Sequence, residues 1–102
     1  MLKSIKESIG KRVIVRCNNA GVFYGTLSEK EGQEVTLTDC RRIWYWDGAA
    51  SLHQLAKEGV TNPADCKFTL RVKSISLLEA IEIIPCTEEA TENIEAVKEW
   101  KR

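Results

Sequence analysis

One alternating run, from Gln33 to Trp46, constrains the fold more than any other part of the sequence. Within it, Val35 and Leu37 alternate with threonines, and Ile43 and Tyr45 continue the same two-residue period. Successive side chains of a strand point to opposite faces, so this alternation is typical of a half-buried strand. The run therefore predicts one long strand with these four apolar side chains toward the core.

Two earlier runs extend this strand into an antiparallel meander. Lys11 to Cys17 is rich in β-branched residues and ends at an Asn-Asn-Ala-Gly turn, and Val22 to Lys30 follows as the next strand. A reversal at Glu31 and Gly32 then leads into the long strand. Sequential strands that are joined by short turns pair as antiparallel neighbours.

Two further strands are predicted beyond this meander. Cys66 to Ser76 should place Phe68, Leu70 and Val72 on one face, and Ala80 to Ile84 is apolar enough to be central in a sheet. The pattern thus indicates an α+β fold whose antiparallel sheet has about five strands.

Three helices complete the prediction. Met1 to Gly10 has apolar residues at helical spacing, and Ser51 with Gln54 matches a capping box that begins a short middle helix from Leu52 to Glu58. Thr87 caps a C-terminal amphipathic helix with an acidic first turn. We expect residues 1–102 to form a single domain.

Composition excludes several classes of protein. The 15 basic and 15 acidic side chains cancel, which argues against a duplex nucleic acid binder, and no apolar run is long enough for a membrane span. Four widely spaced cysteines and one histidine make a zinc site improbable, so we expect reduced thiols, no metal, no cofactor and a cytosolic protein. A chain of 102 residues builds only a modest core, so a homo-oligomer is expected.

The end of the long strand carries the first candidate binding residues. Strand periodicity through Trp46 places Arg42, Trp44 and Trp46 on one face, with Arg41 on the other. Indoles stack on planar rings and guanidinium groups bind phosphates, so a nucleotide-like ligand is expected. Trp44 and Trp46 are the candidate stacking surfaces, and Arg41 and Arg42 are the candidate phosphate partners. The alternative is structural, because aromatic residues also lie under helices and at dimer interfaces.

Three more residues are candidates for the same site. Ser51 begins the middle helix, whose free backbone N–H groups suit an anion; Asn62 can read a base or ribose edge; and Arg71 offers a further cation. Each also has a structural alternative: a tight strand-to-helix turn, a turn-forming residue before Pro63, and a solvated strand face.

Nothing in the sequence predicts catalysis. His53 is the only histidine, no pattern pairs it with a nucleophile such as Ser51 or Cys66, and glycine-rich phosphate loops are absent. We therefore expect a binding protein and no enzyme.

At family level, the sequence resembles the first type of Thoeris anti-defence sponge, a phage protein family. The resemblance is carried by Cys17-Asn18-Asn19-Ala20-Gly21-Val22-Phe23, Arg41-Arg42-Ile43-Trp44-Tyr45-Trp46-Asp47-Gly48-Ala49-Ala50-Ser51-Leu52, Gln54-Leu55-Ala56, Gly59-Val60, Asn62-Pro63, Cys66-Lys67-Phe68 and Ala80-Ile81-Glu82-Ile83-Ile84.

This resemblance implies a mechanism. Members bind and sequester cyclic ADP-ribose isomers made by bacterial TIR-domain defence proteins, without cleaving them, in the cytoplasm of the host bacterium. They are oligomers built from dimers, and some also sequester cyclic oligonucleotides of a second defence pathway. The expectation is thus a single cyclic-nucleotide-binding domain that evades immunity. The alternative is a small interaction module whose Trp face is an oligomer interface.

Overall fold

A computed structural model describes residues 2–102 and has the predicted α+β architecture. Its elements are α1 (Lys3–Ser8), β1 (Arg12–Cys17), β2 (Gly21–Glu31), β3 (Glu34–Tyr45), α2 (Leu52–Glu58), a 3₁₀ turn (Pro63–Asp65), β4 (Lys67–Phe68), β5 (Val72–Leu77), β6 (Ala80–Pro85) and α3 (Glu88–Ala96). The start predicted for the first helix, Met1, lies outside the described residues. The capped ends of α2 and α3 confirm the predictions: Ser51 accepts a hydrogen bond from the Gln54 amide, and Thr87 accepts one from the Ala90 amide.

The strands form one antiparallel sheet in the order β4-β3-β2-β1-β6. Because β3 is long, β4 pairs with its end at Ile43 and Tyr45, while β5 pairs with its first half, from Val35 to Cys40. Strand β6 pairs only with β1, so the prediction that it is central was wrong. Its apolar residues reflect packing on both faces of the sheet, since Ile84 packs against one core cluster and Ile83 against another.

Each face of the sheet has its own core. The helix core lies between the sheet and α2 and α3, and it contains Ile14, Tyr24, Ile43, Leu55, Ala56, Val60, Cys66, Phe68, Ala90, Ile94 and Val97. The second core is on the opposite face, and it contains Val13, Val15, Cys17, Phe23, Leu27, Val35, Leu37, Cys40, Leu77 and Ala80. Neighbouring residues such as Val13 and Ile14 therefore enter different cores.

A β-bulge in β3 exchanges its two faces. Asp39 has a φ of 45°, and between the Tyr24 and Thr26 pairings β3 carries one residue more than β2. An extra residue shifts the two-residue period, so each side chain beyond it points to the other face. Val35 and Leu37 consequently lie in the second core, whereas Ile43 lies in the helix core. The expectation of one continuous apolar face was wrong, and Tyr45, predicted to be buried, is 50% exposed.

Gly25 faces this bulge, and its replacement by alanine is expected to destabilise the protein. A Cβ at residue 25 would lie 2.5 Å from the Cβ of Cys40 and 3.1 Å from the carbonyl oxygen of Thr38. Overpacking of a buried site costs about 1–3 kcal/mol. Chemical denaturation of G25A should show this loss, and the exchanged pair G25A/C40G should recover part of it. A G25A variant as stable as wild type would show that the bulge has room to relax.

The chain between β4 and β5 departs from the predicted strand. The predicted run from Cys66 to Ser76 is interrupted because the Arg71 amide donates to the Glu99 carboxylate at 2.9 Å, and not to a neighbouring strand. Leu70 and Val72 are consequently about half exposed, although the pattern placed them with Phe68. The interruption leaves an open recess beside β3.

Two further expectations concern cysteines and membranes. The four cysteines are free thiols; Cys17, Cys40 and Cys66 are buried and Cys86 is half-buried. Burial raises the pKa of Cys86 to about 12, so this thiol stays protonated at neutral pH. Within residues 2–102, no helix has the length and apolar character that crossing a membrane requires.

Candidate functional site

The recess beside β3 is a pocket of about 410 Å³ on the second-core face of the sheet. Small-molecule sites span roughly 300–1,000 Å³, so its volume suits a ligand of nucleotide size. It is lined by Phe23, Cys40, Arg41, Arg42, Trp44, Thr69, Leu70, Val72, Ile75 and Trp100. No carboxylate is among these ten residues, and two of them are arginines.

Arg42 supplies the available cation of the pocket. The backbone N–H of Arg42 donates to Thr69 Oγ1 at 3.0 Å, which fixes the start of the side chain. The guanidinium carbon lies 4.8 Å from the centre of the Phe23 ring, a cation–π contact that leaves the N–H groups free. Within residues 2–102, the Arg42 guanidinium has no carboxylate within salt-bridge distance. A planar cation with unused donors is well suited to bind a phosphate oxygen.

Two indoles line the same pocket. Trp44 is 59% exposed, which is unusual for the largest apolar side chain. Trp100 is half-buried, and the Lys67 ammonium lies 5.5 Å from the centre of its ring. Both rings can provide a stacking surface for a planar ligand.

Arg41 lines the pocket but is a structural residue, contrary to its predicted role as a phosphate partner. It is 2% exposed, and its guanidinium donates four hydrogen bonds to backbone carbonyls: Thr69 at 3.1 Å, Phe68 at 3.0 Å, Val97 at 3.0 Å and Ile94 at 3.3 Å. Burial lowers the pKa of Arg41, and the nearby Arg71 charge acts in the same direction. The Ile94 and Val97 carbonyls belong to the end of α3, where a cation also complements the helix dipole.

Trp46 is absent from the pocket lining, so the predicted face of Arg42, Trp44 and Trp46 is only partly correct. Strand β3 ends at Tyr45, so the strand period does not reach Trp46. Its indole packs against the helix core, and its Nε1–H donates to the Ala49 carbonyl at 3.2 Å. The structural alternative applies to this tryptophan.

Ser51, Asn62 and Arg71 also lie outside the pocket lining. The Ser51 hydroxyl caps α2, and the Asn62 amide donates to the Asp47 carboxylate at 3.3 Å. Arg71 forms ion pairs of 3.5 Å with both Glu95 and Glu99. All three side chains have local structural partners, and none of the three residues lines the pocket with Trp44.

The remaining titratable lining residue is Cys40. Its thiol donates to the Leu37 carbonyl at 3.6 Å, and burial raises its pKa, with the Asp39 charge adding to the effect. A protonated thiol is a poor nucleophile. The pocket therefore combines stacking surfaces and a cation with no activated nucleophile on its lining.

Sequence reasoning missed Phe23 and Trp100 as lining residues. Phe23 reaches Arg42 through strand pairing, because the two residues are direct cross-strand partners in β2 and β3. Trp100 arrives from the far end of the chain, where its amide donates to the Phe68 carbonyl at 2.8 Å. The sequence places Trp100 only near the apolar stripe of the C-terminal helix, which gives no signal for a pocket.

Comparisons with known proteins support the fold and place the chain in a family. No curated protein matches the sequence. Among solved structures, a heptameric archaeal Sm protein, described with implications for the eukaryotic snRNP core, is similar with a TM-score of 0.54 at 16% identity, over 82% of this chain and 97% of that chain. Residues 10–94 match a family described as a domain of unknown function, DUF6948, and the chain belongs to that family.

Proposed function

We propose that this protein binds and sequesters a nucleotide-like anion in the Arg42 pocket, without chemical turnover. One observation carries the proposal: an Arg42 guanidinium without a carboxylate partner in residues 2–102 shares a mostly apolar pocket with Trp44 and Trp100. A guanidinium binds phosphate and an indole stacks on a base, so one ligand that carries both groups uses the whole pocket.

Electrostatics favour an anionic ligand over a neutral one. The lining carries the charges of Arg41 and Arg42 and no acidic side chain. Charge interactions are stronger in a partly apolar recess than in open water. A phosphate would therefore neutralise a local excess of positive charge in a protein whose net charge is zero.

Within this class of ligands, the resemblance to the Thoeris sponges favours TIR-derived cyclic ADP-ribose isomers. Such a molecule has an adenine ring for stacking and a pyrophosphate for Arg42. The biological role that we propose is phage evasion of Thoeris immunity in the host bacterial cytoplasm, by holding the signal away from its effector. Cyclic oligonucleotides of a second pathway offer the same two chemical groups and belong in the same test.

We extend the proposal to self-assembly. The structurally similar Sm protein is heptameric by its description, and strands β5 and β6 each pair on one side only in this chain. Unpaired strand edges are templates for another copy. The resemblance to sponge proteins implies assembly from dimers, so the number of subunits is a quantity to measure.

An equilibrium titration followed by tryptophan fluorescence tests the binding proposal. We expect cyclic ADP-ribose isomers to quench the emission and to bind at least about tenfold more tightly than adenosine, which lacks the anion, or pyrophosphate, which lacks the ring. Equal affinity for pyrophosphate would contradict a role for the indoles. No binding of any compound, together with loss of assembly in Trp44→Ser, would instead support the interaction module, which the exposure of Trp44 favours.

A further inference from the structure

The segment that follows α3 forms one wall of the pocket. Helix α3 ends at Ala96, and residues 98–102, here called the strap, follow it; Glu99 and Trp100 of the strap contact Phe68 of β4. Glu99 forms a parallel bridge with Phe68, and the Trp100 amide donates to the Phe68 carbonyl at 2.8 Å. The strap thereby places the Trp100 side chain at the pocket.

One carboxylate fastens the strap to the segment between β4 and β5. Glu99 Oε2 accepts from the Arg71 backbone N–H at 2.9 Å and from Arg71 Nη1 at 3.5 Å. Arg71 follows directly after Thr69 and Leu70, which line the pocket. The Glu99–Arg71 contact, here called the latch, therefore joins the strap to another lining segment.

The Trp100 ring is held from one side. The Lys67 ammonium lies 5.5 Å from the ring centre, which occupies one face of the indole. Trp100 also lines the pocket, so part of this indole borders the space that a planar group would occupy. Trp100 is therefore positioned by Lys67 and the latch before any ligand enters.

The strap is fastened more weakly than the other walls. Arg42, Trp44 and Phe23 belong to strands in the middle of the sheet, with neighbours on both sides. The latch residues are about one third exposed, and ion pairs in such positions are weak in water. Opening of the strap would disturb few contacts. Opening of the wall that Arg42, Trp44 and Phe23 form would require strands of the sheet to separate.

We propose that the strap is the closing wall of the ligand site: Trp100 stacks on the planar ring of a phosphorylated ligand held by Arg42, and the Glu99–Arg71 latch sets how long that ligand stays. This inference rests on the proposed function of the pocket. In this inference, Trp100 makes the site specific for a ligand with a planar ring. Glu99 is a positioning residue that acts through Trp100.

Substitutions in the strap test the stacking role, with cyclic ADP-ribose and ADP-ribose as probes. Trp100→Ala is expected to weaken binding about ten- to a hundredfold, because base stacking on an aromatic side chain is worth about 1–3 kcal/mol. Trp100→Phe should retain most of the affinity. Trp46→Phe, at a tryptophan that does not line the pocket, is the matched control and should bind as wild type does.

Stopped-flow kinetics tests the latch. Glu99→Gln keeps the shape of the side chain and removes its charge, so the dissociation rate should rise roughly two- to fivefold with little change in the association rate. Lys98→Gln, on the same strap, should leave both rates unchanged. In the protein without ligand, Glu99→Gln should also speed amide hydrogen exchange at Trp100, because its amide is protected by the strap contact with Phe68.

The outcomes separate this inference from the proposed function. If the wild-type protein binds a probe and Trp100→Ala binds it with the same affinity, only the stacking role is overturned. If the dissociation rate of Glu99→Gln equals that of the wild-type protein, only the role of the latch is overturned. If the wild-type protein binds none of the probes, both the proposed function and the closing wall are wrong.

Discussion

Replacing Arg41 with methionine is expected to lower the free energy of unfolding by about 3–5 kcal/mol, because each buried acceptor that is left without a donor costs about 1–3 kcal/mol. Methionine preserves much of the side-chain volume but none of the donors. Four carbonyls, of Phe68, Thr69, Ile94 and Val97, would lose their hydrogen bonds to the guanidinium. Two of them lie at the end of α3 and two beside β4, so the change should loosen the packing of α3 on the sheet.

Urea denaturation of R41M and R42M gives the comparison. The two residues are neighbours in one strand, but Arg42 donates no side-chain hydrogen bond within residues 2–102, so R42M should lose no more than about 1 kcal/mol. Arg41→Lys should be destabilised as well, because an ammonium cannot reproduce the planar arrangement of donors. Equal stability of R41M and R42M would contradict the structural role of Arg41.

The second large effect is on binding. Arg42→Gln is expected to weaken the binding of cyclic ADP-ribose isomers about ten- to a hundredfold, because hydrogen bonds to a charged group are worth about 1.5–3 kcal/mol. The affinity of wild type should fall as salt is raised, and that dependence should be smaller in the variant. Calorimetric titration at two salt concentrations measures both effects.

Arg16→Gln is the matched control for this loss. Arg16 is a surface residue of β1 that pairs with Glu82 at 3.0 Å and does not line the pocket. Its removal changes the net charge by the same amount as the Arg42 substitution. A larger loss of affinity in Arg42→Gln than in Arg16→Gln would locate the binding site at Arg42. Equal small losses in the two variants would indicate a diffuse charge effect and contradict the site.

Local signals in the sequence predicted the elements but not their faces. Ser51 and Thr87 begin their helices as expected, because a cap depends on residues only three positions apart. The bulge at Asp39 could not be read from alternation, which assumes an unbroken pleat. That single residue turns Arg41 toward the helix core and leaves Arg42 and Trp44 on the second-core face.

Local patterns predicted only part of the candidate site. Arg42 and Trp44 are two residues apart in one strand, so periodicity brought them together. Trp100 and Phe23 reach the pocket through long-range contacts that no local pattern contains. Ser51, Asn62 and Arg71 were plausible by residue type, but each has a structural partner. Ser51 caps α2 as the capping box predicts, whereas the partners of Asn62 and Arg71 are distant in sequence and appear only in the folded chain.

The most direct test of sequestration is to titrate the purified protein calorimetrically with cyclic ADP-ribose isomers, then to heat the complex and determine the mass of the released nucleotide. We predict tight binding and recovery of the ligand with its mass and cyclic linkage unchanged. Release of an altered nucleotide would show that the protein is an enzyme, and the absence of binding would contradict the proposed nucleotide site altogether.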